Sequence, residues 1–300
     1  MSQGYYKTLR CCARLAKAPS LQCGVSLLLE VFILRAISYL SPNLFWFYRE
    51  IAKSMVRRCD CAVKIVEATT DPLDDLLLQN GQVDIAFICG LPLIRHNRVA
   101  EQPMQILAAP VMLGDRYQNQ PIYFADMVVN ADSKLARFED LEGTRFCYND
   151  RGSNSGYNLW RYRLVQHLQP NHLHRKFFSS TQQSGSHQRS LQWIASGLAD
   201  CAAIDSVVME AELRQIPELA QSLRIIDSIK SPMPPIAVTS RLDSSLIEQL
   251  QKVLLEPDQE LRAAMALAKV KNYVQVTAID YEPIAIAYDA AIQVGYEAIA

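Results

Sequence analysis

What most limits the folds open to this chain is the alternation, from residue 34 onward, of short β-branched runs with stretches of helical spacing. LRAISYL (34–40) reads as a strand. SPN follows it, with Ser41 placed to cap and Pro42 to open a helix over 44–58. CAVKIVEA (61–68) reads as a second strand, TTDPLDDLLLQN as the opening of a second helix, and VDIAFICG (83–90) as a buried strand closed by a glycine. QILAAPVML (105–113) adds another strand. A β-α-β-α-β order predicts a parallel sheet with helices on its faces.

The pattern then restarts. PIYFADMVVNADS (121–133) is a strand running into a turn, FEDLEG (138–143) a short helix, TRFCYND (144–150) a strand and YNLWRYRLVQHL a helix. FFSSTQQSGS (177–186) is a strand and loop, HQRSLQWIASGLA a helix, DCAAIDSVVMEA (200–211) a strand entering a helix, and LRIIDSI (223–229) the closing strand. IAVTS (236–240) and helices over SSLIEQLQKVLLE and ELRAAMALAK return to complete the first unit, with Tyr273, Tyr281, Tyr288 and Tyr296 among apolar turns. The expectation is an α/β chain of two lobes, each a mostly parallel sheet flanked by helices. Residues 34–120 and 230–300 form the first lobe, 121–229 the second, and 1–33 stand apart.

In open α/β sheets ligands bind beyond the carboxyl ends of the strands. Those ends here read SPN, ICG, NADS, YNDRGSNSG, SGSH and IDS, all with hydroxyls, small residues or amides. In the fourth, Gly152, Ser153, Asn154, Ser155 and Gly156 let backbone approach a ligand, and the next helix, entered at Tyr157, turns its first N–H groups the same way. Such a helix start favours an anion, although the same residues also make a plain capped turn. SGSH repeats the arrangement: Ser184 and Ser186 precede His187, whose cationic form a helix N-terminus disfavours. It reads as a neutral donor or as an ordinary cap with a surface histidine. Asp205 ends a buried strand, where it either meets a ligand group or caps the following helix. Tyr39, Tyr123 and Tyr148 lie near strand ends, as hydroxyl donors or as core residues with a wet tip.

Composition excludes some classes. Half of the 300 residues are apolar, a fifth are charged and the net charge is −1, so a nucleic-acid partner is not expected. The eight cysteines form no CxxC pair and read as small buried hydrophobes. GxSxG, HExxH and GxxxxGK[ST] are missing, and His167, His172 and His174 lack close carboxylate or cysteine partners. No catalytic residue, metal or cofactor is expected.

Three runs carry a family resemblance: DPLDDLLLQNGQVDIAFICGLPLIRH, PIYFADMVVNADSKLARFEDLEGTRFCYNDRGSNSGYNLWR and SGSHQRSLQWIASGLADCAAIDS. In order and content they resemble the phosphate, phosphite and phosphonate substrate-binding proteins of ABC transporters, over about residues 34–280. The resemblance implies a type II periplasmic-binding fold with the ligand in a cleft between two lobes. It also implies a small oxyanion ligand, and permease and ATPase subunits as partners. It places the oxyanion seat at Ser153 and Ser155 with the backbone of 154–156, and a donor at His187. Asp205 would meet the ligand's substituent, with Tyr123 and Tyr39 lining the cleft; Ser41, Tyr157, Ser184 and Ser186 complete the expected contacts. A sensory module and an enzyme on the same fold are the alternatives.

The start of the chain departs from this pattern. Lys7, Arg10, Arg14 and Lys17 precede the apolar run GVSLLLEVFIL (24–34), which has the order of an export signal. Glu30 interrupts the run and no small-residue cleavage site follows, so a periplasmic address and a non-native extension both fit.

Overall fold

The computed structural model describes residues 33–59, 61–168 and 175–299. The readings of residues 1–32, of His172 and His174, and of Cys11, Cys12 and Cys23 lie outside the described residues.

Strand β1 (Ile33–Ser38) begins one residue earlier than the sequence pattern places it. A 3₁₀ turn (Pro42–Leu44) leads into α1 (Phe45–Arg58), whose buried residues Phe47, Ile51 and Met55 recur at helical spacing. Arg57 and Arg58 close that helix, where cations complement the dipole. Then follow β2 (Ala62–Glu67), the single turn α2 (Leu76–Gln79), β3 (Ile85–Phe87), α3 (Gly90–Val99) and β4 (Met104–Met112). The expected helix over TTDPLDDLLLQN shrinks to α2. The Asp71 carboxylate holds the preceding segment in a local turn by accepting from the Leu73 amide, and Asp75 caps α2 by accepting from the Leu77 amide.

The second sheet is made of β5 (Ile122–Asn130), β6 (Arg145–Tyr148), β7 (Ser180–Gln183), β8 (Cys201–Asp205) and β9 (Leu223–Pro232). Its helices are α4 (Leu159–His167), α5 (His187–Ala195), α6 (Ser206–Gln215) and the short α7 (Pro217–Gln221). The chain then adds β10 (Ile236–Thr239), α8 (Ser244–Leu255), α9 (Gln259–Leu267), β11 (Val270–Val274) and α10 (Glu282–Gln293).

The strand orders are β11-β4-β10-β3-β1-β2 and β7-β6-β8-β5-β9. Neither sheet is mostly parallel. β2, β1 and β3 run together, as do β7, β6 and β8, but the remaining neighbours pair antiparallel. The reason is connectivity. No crossover helix joins β4 to β5 or β9 to β10, so each strand passing between the sheets enters its new sheet against the direction of the β-α units. The two crossing segments touch: the Met233 amide donates to the Pro121 carbonyl at 2.8 Å.

The tail does not stay with the first sheet. Ile284 packs with Leu91 and Tyr281, whereas Ala287, Tyr296 and Ile299 join the cluster around Phe146 and Trp160. Residues 230–232 likewise belong to β9. Of the late tyrosines, Tyr273 lies in β11, and the Tyr281 hydroxyl donates to the Met233 carbonyl at 2.8 Å.

One buried ion pair ties a crossing segment to the second sheet. Asp126 on β5 is wholly buried, and Arg116 reaches it from a 3₁₀ turn (Asp115–Tyr117) at 2.8 and 3.1 Å. Ser228 donates to the same carboxylate at 2.6 Å. Asp126→Ala would strand Arg116 and Ser228. Because Arg116 is partly exposed, the expected loss is about 2–3 kcal/mol, below the range for fully buried pairs, measured as a shift in urea midpoint at unchanged slope.

Candidate functional site

A cleft of about 410 Å³ opens between the two sheets. Five of the six strand ends named above meet there or directly behind its wall. NADS does not: β5 is antiparallel to β8, with Ala125 opposite Asp205 and Val129 opposite Cys201. The start of β5 therefore faces the cleft side, and its carboxyl end points away.

The loop after β6 is the centre of the site. Ser153 Oγ accepts from the Gly156 amide at 2.9 Å, and the Asn158 amide donates to the Ser153 carbonyl at 3.0 Å. This closes a five-residue π-turn (Asn154–Asn158), a wide turn often found at functional positions. Gly156 lies tight against Asn149: a Cβ there would lie 1.8 Å from Asn149 Oδ1, so a side chain at 156 requires Asn149 to move. Behind the turn, the fully buried Asn154 side chain donates to Tyr123 Oη at 3.1 Å and Ser231 Oγ at 2.9 Å, and accepts from Asn158 at 3.1 Å.

The second loop meets the first. His187 is the first residue of α5, and its Nε2 stands 3.5 Å from Ser155 Oγ, at the outer limit for a hydrogen bond. Ser186 Oγ caps α5 by accepting from the Arg189 amide at 3.1 Å. Burial pushes the imidazole down to about 4, with the Ala203 backbone opposing in part. The ring is therefore neutral at pH 7 and offers one N–H. Asp205 caps α6, accepting from Val207 and Val208 at 2.8 and 3.2 Å, and also lines the cleft. Burial pushes its carboxyl up to about 7, with the backbone amides opposing and Asp126 and Glu210 adding to the rise.

Tyr39, Ser41, Ser153, Ser155, Ser186, His187 and Asp205 all line the cleft. The other expected contacts support the wall from behind. Tyr123 is wholly buried with its hydroxyl turned to Asn154, so it is not a cleft-lining aromatic. Asn154 spends its side chain on the same network. The Tyr157 hydroxyl accepts from the Ile299 amide at 2.9 Å, and Ser184 donates to backbone carbonyls beside Ser190. Gly156 gives its amide to the cap. Ser41 does not cap its helix; it donates to Gln188 Oε1 across the cleft at 3.0 Å. Tyr39 donates to Asp75 at 2.8 Å. His167 packs edge-on against Phe138 and Phe177.

Sequence reading passed over Asn43, Asp71, Asn149, Asp150 and Gln188. Asn43 donates to the Val208 carbonyl and to Glu212 across the cleft. Asp71 follows β2, and the same rule about strand ends points to it. No lysine or arginine lines the cleft among the described residues, whereas Glu67, Asp71, Asp150 and Asp205 do. An anion here meets neutral donors. Among the described residues no group of three or more His, Cys, Asp or Glu could hold a metal ion, and no helix is long and apolar enough to cross a membrane.

The periplasmic substrate-binding proteins of phosphonate ABC transporters match this chain over residues 37–281. The chain belongs to this family. Its members are substrate-binding components of transporters, not enzymes, and the fold is that of type II periplasmic-binding proteins. Solved structures similar to it include a binding component of an ABC phosphonate transporter from Pseudomonas aeruginosa, at 20% identity, TM-score 0.74, covering 89% of this chain and 88% of that one. PhnD1 from Prochlorococcus marinus, in complex with methylphosphonate, matches at 15% identity and TM-score 0.74, covering 88% and 98%. The alkanesulfonate-binding protein SsuA from Xanthomonas axonopodis pv. citri, bound to MOPS, matches at 15% identity and TM-score 0.59, covering 89% and 96%. No curated protein sequence matches the chain.

Two outcomes test the geometry. Gly156→Ala forces the loop off Asn149, and the affinity for a bound oxyanion, read by calorimetry, should fall by about a hundredfold or more, as when several charged-group hydrogen bonds are lost together. His187 should show no imidazole titration between pH 5 and 8 by nitrogen NMR. Its folded value lies below the unfolded one, so its stabilising effect is complete above about 6.5 and is lost as pH falls toward 4.

Proposed function

We propose that this chain captures a small phosphorus oxyanion, a phosphonate foremost, by closing its two sheets over it, and that it delivers the ligand to a membrane permease and ATPase from the periplasmic side. The observation that carries the reading is the meeting of Ser153, Ser155 and His187, from two adjacent strand–helix loops, in a cleft whose described lining residues include no lysine or arginine. Neutral hydroxyl and imidazole donors in a partly dry site bind a tetrahedral oxyanion without a counter-ion, as helix starts do for phosphate. The relatives support the ligand class: one solved structure holds methylphosphonate and another comes from a phosphonate transporter.

Closure is supported by contacts between the walls. Ser41 reaches Gln188, Asn43 reaches Val208 and Glu212, and the Gly152 amide reaches Asp71. A ligand bridging the same walls adds to these contacts only in the closed form and so shifts the population toward it. The two crossing segments, 113–121 and 233–235, are the places where the chain can bend.

The test is calorimetric titration with 2-aminoethylphosphonate, methylphosphonate, phosphite, phosphate and sulfate. Micromolar or tighter binding of a phosphorus oxyanion is expected, and no binding across the panel would overturn the reading. Ser155→Ala and His187→Ala should each weaken the best ligand by about 1.5–3 kcal/mol, the worth of one hydrogen bond to a charged group, while the melting temperature shows the protein still folded. Unchanged affinity in both would remove these residues from the seat.

A further inference from the structure

The cleft is larger than its polar loops need. At about 410 Å³ it falls among pockets that hold drug-sized ligands, about 300–1,000 Å³. A methylphosphonate takes up the space of only a few water molecules, each about 30 Å³. The surplus is lined unevenly. In the first sheet β2 and β11 are the two edges. Glu67 ends β2 and Asp71 lies in the turn after it, so these carboxylates border the cleft toward the β2 edge. Asp71 accepts there from the Gly152 amide at 3.2 Å, in the loop that also carries Asp150.

Toward the β11 edge the lining changes character. Met112 on β4 pairs with Val270 on β11, and both line the cleft together with Tyr273. Leu44, Phe47 and Tyr48, around the start of α1, line it as well and belong with these three to one buried cluster. Each of the six is at most 8% exposed, so the cleft opens here onto the core of the first sheet. Two tyrosine hydroxyls and a thioether are their only polar atoms. Val207 of α6 joins the same cluster from the second sheet, two residues beyond Asp205. The start of α6 is held against this wall, because Asn43 donates to the Val208 carbonyl at 3.2 Å. The apolar annex thus begins beside the loop that carries Asp205.

We propose that this annex receives the carbon substituent of the ligand, and that the preferred class is a phosphonate carrying an uncharged hydrocarbon group of several carbons, ahead of methylphosphonate or an aminoalkylphosphonate. The inference rests on the phosphonate reading proposed above. A substituent in the annex leaves water, covers apolar wall and makes dispersion contacts that a methyl group is too small to reach. An ammonium group in its place would give up hydration to a wall without a carboxylate. Glu67 and Asp71 lie toward the opposite edge, and Asp205 accepts from the amides of Val207 and Val208.

The experiment is calorimetric titration of the full chain with methyl-, propyl-, butyl- and 2-aminoethylphosphonate. Affinity should rise by about fourfold per added methylene, or about fiftyfold from methyl to butyl. Propylphosphonate should bind at least about tenfold more tightly than 2-aminoethylphosphonate, which has the same shape but a charged end. A gain below about threefold from methyl to butyl would overturn the annex, as would tighter binding of the aminoethyl ligand. Ala268 lines the cleft two residues before Val270. In Ala268→Leu the added carbons occupy the annex, and the ratio of butyl- to methylphosphonate affinity should fall to within about threefold of one; a ratio kept at the wild-type value places the substituent elsewhere and overturns the assignment. The wild-type series decides the ligand class even where that variant does not fold. If none of the four ligands binds, the proposed function is what fails. Methyl NMR of the wild type with benzene, a probe that enters dry apolar cavities, then decides the annex. Shifts at Met112 and Val270 support it, and unmoved signals at both overturn it.

Discussion

The proposed seat depends on the side chain of Asn154. It is buried completely in the turn it serves, and its amide binds the first strand to enter the second sheet, through Tyr123, and the last to leave it, through Ser231. A buried amide left without partners costs about as much as several exposed contacts gain, so the loop has one favourable position. That position is defined relative to β5 and β9, the strands that continue into the crossing segments. The loop that would hold the ligand is thereby fixed to the segments proposed to bend. In the proposed closure, movement of one sheet would carry these residues together toward the opposing wall with Ser41, Asn43 and Asp71.

The electrostatics of the cleft follow from what is missing. With no lysine or arginine among its described lining residues and four carboxylates present, the cleft cannot draw an anion by charge. Selectivity has to come from geometry and proton state: neutral donors from the loops, beside Asp150 and Asp205, whose carboxyls burial pushes up to about 7. Burial acts in opposite directions on His187 and Asp205, removing charge from both.

Much of this was legible in the sequence, because the signals were local. Strand lengths, helix starts and the small polar residues at strand ends placed the YNDRGSNSG, SGSH and IDS loops correctly. Strand direction was not local. β5 reads like any other strand, and only its entry from the other sheet without a crossover helix makes it antiparallel, which turned NADS away from the cleft and put Tyr123 behind the seat. Contacts between the walls were also illegible. Asp71 and Gly152 are 81 positions apart, and nothing in TTDP says that a carboxylate will meet a glycine amide across a cleft. The tail was misplaced for a similar reason, because an apolar helix does not state which of two cores it will cover.

The two sheets differ in how the chain supplies them. The second is continuous, from Ile122 to Pro232, whereas the first needs β1 to β4 together with β10 and β11 from far downstream. During synthesis the inserted sheet is complete while its host still lacks two strands, so the outer edge of β3 and both edges of β4 must wait for β10 and β11. Long-range pairing of this kind is slow and exposes strand edges to aggregation. A protein whose first sheet cannot close until its last strands arrive stays threadable for longer.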